Sequence, residues 1–217
     1  MHLQFLIEDM SGEVLIRHIM DKLVMGKESV TYDCKAFKGI GGFKKNPVHK
    51  SVKTNKLLND LGIYLKGFEK SLQNIDAAII IVLDNDRRNT DEFRKELEMR
   101  ALGAMIFIDH VFCIAVEEME AWLLGDKEAL FKAYPDARES IFKEYKQDHI
   151  CGTWEVLANV VYKGGLKKFV KDCPTYREIG KYKSIWADEI GTYMNPDVNK
   201  SPSFQLFMRE VQIRIGS

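Results

Sequence analysis

Apolar residues along the first half of the chain follow two patterns that alternate. Short apolar runs without charge, such as AAIIIVL at 77–83, are typical of strands buried on both faces of a parallel sheet. Between these runs, apolar residues recur every three or four positions, as they do along one face of a helix. Strands are therefore predicted at 2–7, 30–37, 77–83 and 111–116, with a further candidate at 105–107, and helices at 11–24, 49–72 (interrupted near Gly62), 90–104 and 120–134.

This alternation predicts an α/β fold with a mostly parallel sheet flanked by helices. Beyond about residue 118 the strand pattern fades, and helical segments broken by loops take over. We therefore expect an α/β core over residues 1–124 and a mostly helical C-terminal extension over residues 125–217, packed on that core.

Composition and charge narrow the class of protein. The 217 residues include 32 basic and 32 acidic side chains, so the net charge of zero excludes a protein that holds nucleic acid by bulk charge alone. Four cysteines are scattered without a CxxC pair, which favours reduced thiols and an intracellular protein. No apolar run is long enough to cross a bilayer. We expect a soluble, cytoplasmic protein.

Acidic residues follow three of the predicted strands directly. They are Glu8 with Asp9, Asp84 with Asp86, and Glu117 with Glu118 and Glu120. The carboxyl ends of the strands form the ligand-binding crevice of an open α/β sheet, so these side chains are predicted to converge there. Gathered carboxylates repel one another unless a cation lies between them, and oxygen ligands favour Mg²⁺, Mn²⁺ or Ca²⁺ over zinc. Such a group of acids is the usual apparatus of phosphodiester chemistry.

Each acidic group has a plainer interpretation when it is taken alone. An acid after a strand is often a turn former, which would account for Glu8. Acids at 117–120 would also be favoured at a helix N-terminus by the helix dipole. The coincidence of all three groups at equivalent strand ends is what favours a functional site.

The order of these acids resembles the Toprim domain, the metal-binding nuclease fold of topoisomerases, primases and OLD-type nucleases. Toprim proteins carry a glutamate after the first strand and Asp-x-Asp after a later one, as Glu8 and Asp84-Asn85-Asp86 do here. More closely, the chain resembles the Toprim-related family called domain of unknown function 4276. The resemblance extends over nearly the whole chain and rests on IEDMSGEVL at 7–15, KGIGG at 38–42, VLDND at 82–86, IAVEEMEAWLLGD at 114–126, CGTWEVLA at 151–158 and SPSFQLF at 201–207.

The resemblance implies roles for individual residues. Glu8, Asp84 and Asp86 would be ligands of Mg²⁺ or Mn²⁺. Glu117 and Glu120 would be supporting catalytic acids or ligands of a second ion, and Glu117 is the one we include among the predicted metal ligands. Members of the family are often encoded beside AAA-type ATPases in arrangements like OLD-type anti-phage defence pairs. The expected function is a metal-dependent nuclease acting on DNA or RNA with an AAA/OLD-type ATPase.

A basic, glycine-rich segment leaves the second predicted strand toward the same edge as the acids. Glycines allow close backbone approach to a phosphate and lysines supply charge, although a solvated loop and helix face would look similar. It lacks the Gly-Lys-Ser/Thr of a Walker A loop, so ATP hydrolysis is not expected here. The candidate phosphate-binding residues are Lys38, Gly39, Gly41, Gly42, Lys44, Lys45 and Lys53.

A second basic run at 163–183 has interleaved aromatic residues. This pattern suits single-stranded nucleic acid, and it equally describes an amphipathic helix with a solvated face. Lys181 and Lys183 could place a positive charge near a leaving phosphate.

Two other functions fit the same sequence. One is a Toprim-shaped binding or regulatory subunit without chemistry, acting as a sensor or toxin in an ATPase complex. The other is an enzyme that uses the same metal site on a smaller phosphate ester or nucleotide.

Overall fold

The structure is a computed structural model that describes residues 1–39, 41 and 56–216. The candidate phosphate-binding residues Gly42, Lys44, Lys45 and Lys53 lie outside the described residues. The strands are β1 His2–Ile7, β2 Thr31–Ala36, β3 Ala77–Asp84 and β4 Asp109–Ala115. The helices are α1 Met10–Val24, α2 Leu57–Leu72, α3 Thr90–Gly103, α4 Glu120–Leu124, α5 Lys127–Ala133, α6 Glu139–Glu144, α7 Thr153–Val161, α8 Gly165–Asp172, α9 Tyr176–Tyr193 and α10 Pro202–Ile215.

The described strands form a four-stranded parallel sheet in the order β2-β1-β3-β4. In its register, Ile7 lies opposite Val82, and Asp84 lies opposite Ala115. The ends of β1, β3 and β4 therefore meet at one edge, where a ligand crevice is expected in an open α/β sheet. The predicted α/β class with a parallel sheet flanked by helices and a helical C-terminus is confirmed.

Both faces of the sheet are covered, which explains why β3 is apolar without alternation. On one face, Leu65 of α2 and Leu97 of α3 pack with Ile79 and Ile81 in one hydrophobic cluster. On the other face, a larger cluster joins residues of β1 and α1 to residues of the C-terminal helices, including Phe5, Ile16, Trp186 and Phe207. Residues 1–124 and 125–217 thus share a hydrophobic core.

Helix α9 is fastened to α1 at its C-terminal end. Gly191 lies so close to α1 that an added Cβ would stand only 3.0 Å from Cδ2 of His18, so a side chain here would require the His18 ring to shift by a few tenths of an ångström. Lys22 Nζ donates to the carbonyls of Gly191, Thr192 and Met194 at 2.6, 3.0 and 2.7 Å. A cation there satisfies carbonyls that a helix terminus leaves unpaired and complements the negative end of its dipole.

Three predicted elements differ from the observed ones. The candidate strand at 105–107 is wrong: these residues lie outside the sheet, Met105 has a left-handed φ of +50° and Phe107 is 87% exposed. Helix α2 continues through Gly62 without an interruption. The single helix predicted at 120–134 is two helices, because Asp126 caps α5 by accepting from the Ala129 amide at 3.0 Å.

No helix in the described ranges combines the length and apolar character needed to cross a membrane.

Candidate functional site

Five carboxyl groups gather where β1, β3 and β4 end, together with one lysine from α9. We call this group the acidic crevice. Its acidic members are Glu8, Asp9, Asp84, Glu118 and Glu120, and its lysine is Lys183. The prediction placed acids at these strand ends because parallel strands bring their carboxyl ends together, and the structure brings Glu8, Asp84 and Glu120 into one set of interacting charges.

Glu8 is held across the strand ends by two backbone contacts. Its amide donates to the Val82 carbonyl at 3.0 Å, which extends the β1–β3 pairing by one residue. Its Oε2 accepts from the Asp84 amide at 2.9 Å, so the side chain turns toward β3. Burial raises the pKa of Glu8 to about 7; the hydrogen bond from Asp84 opposes this rise, and the charges of Asp9 and Asp86 add to it. Near neutral pH the Glu8 carboxyl is therefore partly protonated.

Asp84 is the acid of β3 and stands at its C-terminal end. The residue is 8% exposed, and its Oδ1 is buried without a hydrogen-bond partner among the described residues. Burial, followed by the charge of Glu8, raises the pKa of Asp84 well above its ordinary value. A buried oxygen without a partner is costly, and a bound cation is one way to satisfy it.

Lys183 supplies the positive charge of the crevice. Its Nζ lies 3.0 Å from Glu120 Oε2 and 3.4 Å from Glu118 Oε1, and its side chain is only 14% exposed. Burial alone would lower the pKa of Lys183, but the charges of Glu120, Glu118 and Asp84 outweigh burial and hold it above the ordinary value. One ammonium faces five carboxyl groups, so the crevice can accept further positive charge.

The loop after β3 is held together by hydrogen bonds of the Asn85 side chain, which lies between Asp84 and Asp86 in the sequence. Asn85 is fully buried, and its Nδ2 donates to the Arg88 carbonyl at 3.0 Å and to Thr90 Oγ1 at 2.6 Å. Its Oδ1 accepts from the Glu117 amide at 2.5 Å. Asn85 thus ties the end of β3 to the residues that follow β4.

Asp86 and Glu117 both have left-handed backbones, with φ of +50° and +61°. Residues with side chains rarely adopt this conformation, and when they do they concentrate at functional sites. The Asp86 amide donates to the Glu117 carbonyl at 3.0 Å, which joins the two turns. The Asp86 side chain is 53% exposed and pairs with Arg88 Nη1 at 3.1 Å, so Asp86 lies at the mouth of the crevice.

The carboxylate of Glu117 accepts hydrogen bonds from the N-terminus of α7. Its two oxygens accept from the amides of Cys151, Gly152 and Thr153 at 2.9–3.0 Å and from the Thr153 hydroxyl. Burial would raise the pKa of Glu117, but these hydrogen bonds outweigh burial and lower it. In this structure Glu117 caps a helix; the prediction that it binds a metal ion stays a prediction.

Replacing Glu117 by alanine is expected to destabilise the protein by about 2–4 kcal/mol, because it leaves the three backbone amides at the start of α7 without their acceptor. Urea unfolding at pH 7 measures this loss. The matched control is Glu128→Ala, at an exposed position in the first turn of α5, where the change is expected to stay within about 0.5 kcal/mol. Equal losses of unfolding free energy for Glu117→Ala and Glu128→Ala would show that Glu117 does not have this structural role.

The described part of the glycine-rich loop starts beside Glu8. The Gly39 amide donates to the Glu8 carbonyl at 2.9 Å, and Lys38 is exposed. Gly39 and Gly41 both have positive φ, and a Cβ at Gly41 would stand 2.1 Å from Asn59 Oδ1. The loop therefore begins at the edge of the crevice, as predicted, and both glycines are required by its backbone.

The second basic run divides between core and surface. Phe169 and Trp186 are buried, and the ring of Tyr182 packs 5.2 Å from that of Phe169. These aromatic groups belong to the hydrophobic core, which matches the amphipathic-helix interpretation of the run. Lys183 enters the crevice, whereas Lys181 is exposed on the same helix.

The described residues contain no group of three or more His, Cys, Asp and Glu side chains that could hold a metal ion. Glu8 and Asp84 are brought together by the bond from the Asp84 amide, Asp86 lies at the mouth, and Glu120 is turned toward Lys183. The assignment of Glu8, Asp84 and Asp86 as metal ligands therefore stays a prediction.

No protein-family model, no curated protein and no solved structure matches this chain.

Proposed function

We propose that this protein is a Toprim-type, divalent-metal-dependent phosphodiesterase that cleaves DNA or RNA. The observation that carries the proposal is the buried Oδ1 of Asp84, which lacks a hydrogen-bond partner among the described residues and belongs to the residue whose amide donates to Glu8 Oε2. Both groups lie at the carboxyl edge of a parallel sheet, where α/β proteins bind their ligands. The Toprim assignment itself rests on the sequence resemblance.

The residues of the crevice fit Mg²⁺ or Mn²⁺ by their chemistry. Carboxylate oxygens are the donors these ions prefer. Burial, and after it the charges of neighbouring carboxylates, raise the pKa values of Glu8 and Asp84, and a bound cation would oppose both effects. Glu8 and Asp84 would hold the ion, with Asp86 available at the mouth. When bound, such an ion activates a water molecule and stabilises charge on the departing oxygen.

The remaining residues bind and orient the substrate in this proposal. Lys183 directs its ammonium toward a phosphate oxygen, and its position is fixed by Glu118 and Glu120. Lys38 and the glycine-rich loop guide the phosphate backbone toward the crevice from the edge beside Glu8. Glu120 acts through Lys183, and Glu117 acts by holding α7 in place.

The biological setting of the proposal follows the resemblance. We place the protein in the cytoplasm as the effector of an anti-phage defence system, working with an AAA/OLD-type ATPase subunit. Its activity on nucleic acid would then depend on that partner.

The test is Mn²⁺ binding by calorimetry, followed by cleavage of DNA and RNA in Mn²⁺ and in EDTA. Asp84→Asn is expected to weaken Mn²⁺ binding at least tenfold, because it removes the charge of the buried carboxyl while keeping its size. Glu98→Gln, at an exposed position on α3, is the matched control and is expected to bind as the wild type does. Wild-type protein that binds no Mn²⁺ would refute the metal-dependent mechanism.

A second function is favoured by the ion pairs of Lys183, which already neutralise part of the crevice without a metal ion. In that alternative the chain is a non-catalytic, Toprim-shaped binding or regulatory subunit of the ATPase complex. It predicts no Mn²⁺ binding and an ATPase complex that assembles and functions equally with Asp84→Asn.

A further inference from the structure

The acidic crevice has two halves, and only one of them holds a cation of the protein itself. Glu8 and Asp84, at the ends of β1 and β3, form the half to which the divalent ion is assigned. Glu118 and Glu120, which follow β4, form the other half. There the Lys183 ammonium lies 3.4 Å from Glu118 Oε1 and 3.0 Å from Glu120 Oε2.

The two carboxylates around Lys183 are held so that they face its ammonium. Glu118 Oε2 accepts from the Trp154 amide at 3.1 Å, which directs the other oxygen of the same carboxylate to Lys183. Glu120 is 2% exposed, so water contributes little to the stability of its charge. A carboxylate buried in this way depends on a nearby cation. Lys183 is that cation in the structure.

Lys183 is held in the crevice by the packing of α9. The helix begins at a capping box formed by Thr175 and Glu178. One turn after Lys183, Trp186 is 1% exposed, and its ring lies 5.3 Å from that of Phe169. The Lys183 side chain is only 14% exposed, although lysine stems are otherwise flexible. Its ammonium is therefore a fixed part of the crevice.

A fixed ammonium in this place changes how many metal ions the crevice can hold. Enzymes that cleave phosphodiesters often use two metal ions about 4 Å apart, and a lysine can also stabilise the charge of a reacting phosphoryl group. A divalent ion between Glu118 and Glu120 would compete with Lys183 for the same oxygens, and the two cations would repel each other. The charge of Lys183 also opposes the rise in the pKa of Asp84, so the ammonium acts on both halves.

We propose that Lys183 fills the position of a second cation in the acidic crevice, so that the protein binds one divalent ion and not two. The inference rests on the proposed function for the first ion, and it names the group that replaces the second. The two acids predicted as ligands of a second ion are both engaged by the protein: Glu120 faces the ammonium, and Glu117 accepts from the start of α7.

The experiment is calorimetric titration of the full chain with Mn²⁺ at pH 7, which counts the bound ions without an activity assay. Wild-type protein is expected to bind one ion. Lys183→Ala removes the ammonium and vacates its space, and it is expected to bind a second ion at least tenfold more tightly than any second ion binds to wild type. Lys183→Arg keeps a cation in place and is expected to bind one ion.

Two controls locate the second ion beside Glu120. Lys181→Ala, at an exposed position on the same helix, is expected to bind one ion. Adding Glu120→Gln to Lys183→Ala is expected to return the count to one, because it removes the charge that the second ion would neutralise.

A chemical substitute for the missing side chain tests the same position. Propylammonium matches the part of lysine that alanine lacks. It is expected to weaken the second Mn²⁺ site of Lys183→Ala at least threefold, whereas sodium chloride at the same concentration is expected to change it less than propylammonium does. Thermal unfolding in EDTA and in Mn²⁺ shows which variants fold, and Mn²⁺ is expected to raise the midpoint of Lys183→Ala more than that of wild type.

The outcomes separate this inference from the proposed function. Two ions on wild-type protein, or one ion on folded Lys183→Ala, would overturn the inference and leave the metal-dependent function standing. Wild-type protein that binds no Mn²⁺ refutes that function; the role of Lys183 then stands if Lys183→Ala binds one ion that Glu120→Gln abolishes, and it falls otherwise. Lys183→Gln, which leaves a smaller space, replaces Lys183→Ala if the latter does not fold. The wild-type count decides alone if neither folds, with one ion supporting the inference and any other number overturning it.

Discussion

Lys183→Met is expected to destabilise the protein by about 3–5 kcal/mol at pH 8, the largest loss we expect from a single charge. The substitution keeps the length of the side chain but leaves Glu118 and Glu120 without the ammonium 3.4 and 3.0 Å away. Burial already raises the pKa of Glu118 to about 7, and that of Glu120 above its ordinary value, against the opposing charge of Lys183. Without that charge, both carboxylates are more costly to keep ionised.

The loss should shrink as the pH falls. Lys183 stays protonated throughout the range below its raised pKa, so only the acids titrate between pH 8 and pH 5. Once Glu118 and Glu120 are protonated, they no longer need a cation, and the difference between variant and wild type is expected to fall by at least half at pH 5. Urea unfolding at both pH values measures it, with Lys181→Met, exposed on the same helix, as the control. A loss that is independent of pH would mean that packing rather than charge is what Lys183 contributes.

Glu8→Gln is expected to stabilise the metal-free protein at pH 8, by about 2.5 kcal/mol relative to its effect at pH 5. The pKa of Glu8 rises from 4.5 to about 7 on folding. Below pH 4.5 this group is protonated in both folded and unfolded chains and has no effect. Between pH 4.5 and 7 the unfolded chain loses the proton first, so the free energy of unfolding falls as the pH rises, and above 7 the loss is complete. Glutamine cannot ionise, so the Glu8→Gln variant does not undergo this loss of stability.

The measurement is urea unfolding in EDTA at pH 5, 6, 7 and 8 for wild type, Glu8→Gln and the exposed control Glu98→Gln. The wild type and the control should share one pH profile, from which Glu8→Gln departs increasingly above pH 6. Adding Mn²⁺ at pH 8 should stabilise the wild type, by about 2.7 kcal/mol at a hundred times the dissociation constant, and not Glu8→Gln to the same extent. Identical profiles for all three proteins would show that Glu8 is not held at a raised pKa.

The convergence of Glu8 and Asp84 could be predicted because it depends only on strand direction. An apolar run without alternation indicates a parallel strand, and parallel strands end at a common edge. The hydrophobic pattern of each short segment is enough to identify it as a parallel strand. The same pattern cannot decide whether three residues such as 105–107 join a sheet, and there exposure of Phe107 and the left-handed Met105 show that they do not.

The direction of Glu117 could not be predicted, because it depends on a segment more than thirty positions away along the chain. Its left-handed backbone turns the residue toward the start of α7, whose amides donate to its carboxylate. Lys183 shows the same limitation. Its run of lysines and aromatic residues indicates an amphipathic helix, but which lysine is buried depends on how Trp186 and Ile190 dock in the core shared with α1.

The packing of α9 has a mechanical consequence for the crevice. Lys183 stands eight positions before Gly191, about 12 Å along a helix that Lys22 clamps at its far end. A helix this short is stiff, so the close approach of Gly191 to His18 and the ion pairs of Lys183 with Glu118 and Glu120 together set where the ammonium lies. A larger residue at position 191 would crowd His18, and a displacement of α9 that relieved this crowding would lengthen the distance between Lys183 Nζ and Glu120 without a substitution in the crevice.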